Sequence, residues 1–113
     1  MEVEVKRVEW VATALDDLRA FPDDARRAAG FQIARLQAGL MPHDWKPMAA
    51  VGPGVNEIRI RTGREHRVFY VAKFADAVYV LHAFEKKAQK TRPADIEIGK
   101  RRYRELVRQR RQA

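Results

Sequence analysis

A chain of 113 residues, 46% hydrophobic and 34% charged, has the length and balance of one folded domain spanning residues 1–113 rather than of a disordered tail. It holds no cysteine and no apolar run near the ~20 residues of a membrane span, which argues against a disulfide scaffold or a membrane helix and fits a cytoplasmic protein. The net charge of +8 is lopsided: residues 1–54 hold seven Lys/Arg against eight Asp/Glu, residues 55–113 sixteen against seven, so the expected partner is a polyanion such as nucleic acid.

In chain order, "VEVKRV" (3–8) alternates apolar and charged and predicts a first strand. Val11, Leu15, Leu18 and Phe21 recur at helical spacing. Pro22 then ends one helix, and Asp23 and Asp24 open the next, where a helix N-terminus favours negative charge. Ala25, Ala29, Ile33, Leu36 and Leu40 give that helix one apolar stripe, with Gly39 as its stop. "MPHDWKPMAAVGPG" (41–54), with three prolines and two glycines, reads as a loop. "VNEIRIR" (55–61) alternates strictly, Ile58 and Ile60 on one face, Glu57, Arg59 and Arg61 on the other, and Thr62-Gly63-Arg64 supplies a hairpin turn. "HRVFYVAKF" (66–74) and "AVYVLHAF" (77–84) are nearly continuous apolar runs, as strands covered on both faces should be. Pro93 opens a last helix with Ile96, Gly99, Tyr103 and Leu106 along one stripe, acids in its first turn and arginines at its end. The expected fold is α+β, in the order β-α-α-β-β-β-α: a small antiparallel sheet with a helix pair on one face and a C-terminal helix.

The residue inventory narrows the chemistry. His43, His66 and His82 have no metal-ligand spacing, and the carboxylates do not cluster, so neither metal nor other cofactor is expected. With no cysteine and no serine, the usual covalent nucleophiles are missing. What remains is a cationic surface. Arg59 and Arg61 lie on the polar face of one strand, Arg67 enters the next, and Lys86 and Lys87 leave the last, with Lys90 beyond them. Arg67 is the most telling, because an arginine beside Val68, Phe69, Tyr70 and Val71 needs a charge partner or a cleft that an anion visits. Tyr70, at opposite parity, belongs to the core unless a bulge re-aims it.

Such a cluster can cleave RNA without metal. The ribose 2′-hydroxyl attacks its own 3′ phosphate, and fixed cations favour the more negative transition state. Arg59, Arg67, Lys86 and Lys87 are the candidate catalytic residues, the two lysines as proton carriers. Arg61, His82, Lys90 and Lys46 (beside Trp45) are the candidate RNA contacts.

The segments "GPGVNEIRI", "HRVFYVA" and "YVLHAFEKKAQKT", with the Pro-Ala-Asp-Ile-Glu opening of the last helix, resemble the HigB-type toxins of the RelE/ParE superfamily, particularly phage-derived RelE-like toxins. They span about half the chain in the family's order. The resemblance implies a microbial-ribonuclease fold, cleavage of mRNA in the ribosomal decoding site, and neutralisation by a cognate antitoxin, expected to be a helix-turn-helix protein. It matches Arg59 and Arg67 to basic strand residues of the active site, and Lys86 or Lys87 to the basic residue after the last strand. Thr91 and Arg92 stand where some relatives carry a tyrosine. The superfamily also contains gyrase-poisoning ParE toxins, and a phage protein that only binds RNA or an antitoxin is a further alternative.

Overall fold

The computed structural model describes residues 5–112, in the order β1 (Arg7–Trp10), α1 (Ala14–Arg19), α2 (Asp23–Gln37), β2 (Trp45–Pro47), β3 (Val55–Arg61), β4 (Glu65–Val71), β5 (Ala77–Glu85) and α3 (Pro93–Gln112). The first expected strand begins two residues outside the described region and, within it, lies slightly later than the alternation suggested. The five strands form one sheet in the order β1-β5-β4-β3-β2.

The sheet is mixed, where the hairpins alone predicted an antiparallel one. β3–β4 and β4–β5 are antiparallel neighbours joined by short turns, but β1 runs parallel to β5, from Arg7 beside Ala77 to Trp10 beside Val80. A parallel neighbour needs a long crossover, and everything between β1 and β5 supplies it. At the other edge, β2 is a three-residue strand within the proline-rich segment expected to be loop, pairing Trp45 with Ile58 and Pro47 with Asn56. An edge is where a strand tolerates proline, because its missing N–H would face away from the ladder.

Strand parity divides the core in two. Ile58, Ile60, Val68, Tyr70, Val78, Val80 and Ala83 face the helix pair and pack with Ala14, Leu18, Ala25, Ala29, Ile33 and Leu36. Val55, Phe69, Val71, Tyr79, Leu81 and Phe84 face the other way and pack with Val51, Ile96, Tyr103 and Leu106. Helices therefore cover both faces of the inner strands, the arrangement that their unbroken apolar runs require. α2 ends as its sequence suggests. Gly39 takes φ +82° just past the helix, its N–H bonds the Leu36 carbonyl at 3.0 Å and the Leu40 N–H bonds that of Arg35 at 2.9 Å, closing the last turn with the paired bonds of a Schellman motif. Leu40, expected on the buried stripe, lies beyond this stop and is exposed.

β5 carries a bulge: Phe69 pairs with His82 but Tyr70 with Val80, leaving Leu81 unpaired. The extra residue turns both Leu81 and His82 toward α3. It leaves Tyr70 facing the helix pair, fully buried, with its hydroxyl pKa pushed up to about 12 by burial.

Candidate functional site

The polar parity of β3 and β4 that packs α3 further along the sheet becomes cationic at the hairpin end. Arg59 sits directly opposite Arg67, Arg61 opposite Glu65, and Lys46 of β2 opposite Glu57. Like charges directly opposite on paired strands repel, and here carboxylates offset the repulsion. The Arg67 guanidinium donates to Glu65 Oε2 at 2.9 Å and to the His66 carbonyl at 3.0 Å, and its Nε lies 3.3 Å from Glu57 Oε1. The same Glu57 oxygen lies 3.7 Å from Arg59 Nε, so one carboxylate bridges both guanidiniums. Asp44 lies 3.8 Å from Arg59 and 3.7 Å from Arg61. The hydrogen bond from Arg67 holds the Glu65 carboxyl below its usual pKa, with smaller help from the charges of Arg67, Arg61 and Lys86.

Exposure separates these side chains. Arg67 is 5% exposed and Glu57 1%, Arg59 29%, and Arg61 58%. Arg67 thus has the charge partner that its apolar setting demanded, and the surface that an anion can meet is formed by Arg59 and Arg61 in front of it. Lys86 follows the end of β5: its backbone N–H bonds the Glu65 carbonyl at 2.7 Å, while its ammonium bonds the Gln89 carbonyl at 2.6 Å and acts on Glu65 through its charge. Five cations (Lys46, Arg59, Arg61, Arg67 and Lys86) meet three carboxylates (Asp44, Glu57 and Glu65), leaving a positive surplus at the hairpin end of the sheet.

The other candidates lie apart from this cluster. Lys87 follows Lys86 at opposite parity and lies 3.5 Å from Glu85, which also lies 3.6 Å from Arg64. Lys90 is exposed on the loop to α3. His82, expected to contact RNA, is 6% exposed, with Nε2 2.8 Å from Asp95 Oδ1 and Nδ1 3.6 Å from Asp17. Its ring stacks on Phe84 at 4.9 Å. The bulge turns this imidazole inward, where it ties β5 to the first turn of α3 and leaves no face for a nucleotide. Among the described residues, no three His, Asp or Glu side chains gather as a metal site would need. Sequence reasoning placed Glu57 on the polar face of β3 without giving it a part in the site. Its parity with Arg59 and Arg61 was the available signal; the cross-strand contact with Arg67 was not.

The element order, the two-sided cover of the sheet and the C-terminal helix are those of the RelE-like fold. Residues 16–104 match the family described as Phage derived protein Gp49-like (DUF891), and the chain belongs to that family of RelE/HigB-like toxins. No curated protein matches the chain.

Proposed function

We propose that this chain is the toxin of a toxin–antitoxin pair and cleaves mRNA on the ribosome, without metal. The observation that carries this reading is the Arg59–Arg67 pair, bridged by Glu57 and flanked by Arg61 and Lys86, on a sheet end with more cations than carboxylates. A buried ion-paired guanidinium holds its neighbour in place; the exposed one meets the phosphate.

In the proposed reaction the ribose 2′-oxygen attacks the adjacent phosphorus as its proton passes to solvent water, and the bond from phosphorus to the next nucleotide's 5′-oxygen breaks as that oxygen gains a proton from Lys86. The products are a 2′,3′-cyclic phosphate and a 5′-hydroxyl. Charge builds on the phosphate oxygens in the transition state, so Arg59 and Arg61 bind it better than the ground state. An arginine does not surrender its proton. Lys86 carries a transferable one and is the proton donor to the leaving oxygen. Glu65, held to Arg67, is a weak base, and Glu57 is buried. Alignment of the mRNA for in-line attack must then supply much of the acceleration, up to ~7–11 kcal/mol, and the ribosome provides it. A small helix-turn-helix antitoxin is the proposed neutralising partner.

The test is to map cut ends on cellular mRNA after induction and to compare translating ribosomes with the same RNA alone. Cyclic or 3′-phosphate ends and much faster cutting on ribosomes are expected. Arg59→Ala and Lys86→Ala should each lose ~10²–10³ in rate. Ends bearing 3′-hydroxyls would refute the 2′-hydroxyl mechanism. Growth arrest without any cut RNA would instead point to gyrase inhibition.

A further inference from the structure

α3 carries arginines of two kinds. Arg102 reaches inward, donating to Asp17 at 2.9 Å, the Leu81 carbonyl at 2.9 Å and the Thr13 hydroxyl at 2.7 Å. Arg110 does the same at the far end, bonding Asp76 at 3.0 Å and the Tyr79 hydroxyl at 2.8 Å, with its guanidinium 3.7 Å from the Phe74 ring centre. These two fasten the helix. Arg101, Arg104, Arg108 and Arg111 are all exposed. At 100° per residue they fall within an arc of about 80°, on the side of the helix away from Gly99 and Leu106, along ~15 Å of its axis.

This ridge departs from an ordinary solvated helix face, which intersperses acids among its bases. Glu97 is the one acid on the same arc, a turn before Arg101, and it is paired with Lys100 at 3.3 Å. Arg108 has Glu105 as an ion-pair partner. Arg101, Arg104 and Arg111 have no carboxylate within ion-pair distance among the described residues. The helix dipole does not account for the pattern either. Its pull on cations fades within the last turn, whereas Arg101 and Arg104 lie two to three turns before the end at Gln112. All four are arginines, the side chain whose planar donors fit phosphate oxygens two at a time.

We infer that the outer face of α3 is a second RNA-binding surface, an arginine ridge that grips the phosphate backbone of folded, duplex RNA, separate from the sheet end that meets the scissile phosphate. The choice of RNA rests on the function proposed above; the ridge itself rests on the charge pattern. A duplex is a dense line of phosphate charge, so several phosphates lie within reach of a ridge this long. The surface is rigid, because Asp95, Arg102 and Arg110 hold α3 along its length, so it can anchor the protein on structured RNA while Arg59 and Arg61 work on a single strand.

The test measures binding of the full chain to an RNA duplex of about 16 base pairs across a range of salt, independently of any cleavage. Arg101→Gln/Arg104→Gln/Arg111→Gln should keep the wild-type melting curve, bind the duplex more weakly, and make the slope of log affinity against log salt shallower by about 2–3, at ~0.9 per lost phosphate contact. The corresponding triple lysine variant, which keeps the charge, should retain most of that slope. Arg59→Ala should bind the duplex as the wild type does, even where it no longer cuts. An unchanged slope in the glutamine variant would overturn the inference, and so would loss of duplex binding in Arg59→Ala. Tighter binding of a DNA duplex of equal length would also overturn it. So would a glutamine variant that lost affinity for polyglutamate and kept it for RNA, by assigning the ridge to an acidic protein. Should the wild type bind through the ridge and never cleave RNA, the proposed function fails while the ridge stands.

Discussion

Glu57 and Arg67 are nearly inaccessible, and Arg67 is the nearer of the two cations beside Glu57. Arg67 Nε lies 3.3 Å from Glu57 Oε1, and Glu57 Oε2 has no hydrogen-bond partner. Removing one member of such a pair strands the other charge, which typically costs about 3–5 kcal/mol, whereas replacing both with apolar groups of similar size is often neutral. Arg67→Ala is therefore expected to lower the melting temperature sharply, while Glu57→Leu/Arg67→Met should recover most of the stability and none of the activity. Arg59→Ala, on the exposed side of the same cluster, should melt within a few degrees of the wild type. Thermal denaturation of the four proteins checks this. An Arg67→Ala variant as stable as the wild type would show that the pair positions Arg59 without supporting the fold.

At the scale of elements, α3 is docked by polar ties along its length and by one close approach. His82–Asp95, Arg102–Asp17 and Arg110–Asp76 hold its start, middle and end. Between them Gly99 lets the helix lie against the sheet: a Cβ at this position would stand 2.9 Å from both Phe69 Cδ2 and Val51 Cγ1. Phe69 and Val51 are buried and cannot swing aside. Alanine is worth ~1 kcal/mol over glycine inside a helix, but overpacking a filled core costs about 1–3 kcal/mol. Gly99→Ala should thus fail to stabilise the protein and should lower its melting temperature, in spite of the better helix former. A clear rise would mean that α3 can shift outward at little cost.

For the whole molecule, pH acts through groups that burial or pairing has moved. His66 is 2% exposed, its ring centre 4.4 Å from that of Phe21 and its Nδ1 without a partner, and burial lowers its pKa below the ordinary 6.5. The unfolded chain then binds the proton more readily than the folded one. Stability from this group is full above pH ~6.5 and declines as the pH falls from there to the folded value, by at most ~1.4 kcal/mol per pH unit. Glu65 works in the same direction at lower pH, since its stabilising charge is lost as its depressed pKa is passed. Urea unfolding between pH 7.5 and 5 should show a progressive loss that His66→Phe flattens. An unchanged slope in that variant would place the proton elsewhere. Across the same molecule the +8 charge should make binding to any polyanion fall steeply with salt, as phosphate contacts do.

Local pattern alone determined the helices, the three inner strands and their turns, because periodicity, Gly39 and Pro93 act within a few residues of where they stand. Parity likewise put Glu57, Arg59 and Arg61 on one face and Tyr70 in the core. The parallel partner of β1 and the short strand at Trp45–Pro47 were not legible, since an edge strand is defined by a neighbour distant in the chain. Nor was the fate of the charged residues. Arg67 is balanced by Glu57 from the adjacent strand, and His82 is turned onto Asp95 by one extra residue in β5. Lys86 and Lys87 are chemically alike in sequence, yet the Lys86 ammonium bonds the Gln89 carbonyl while Lys87 lies beside Glu85. Sequence decides which side chains are cations. Tertiary structure decides which of them are already neutralised, because an ion pair depends on distance through space, and only those left over can meet a phosphate.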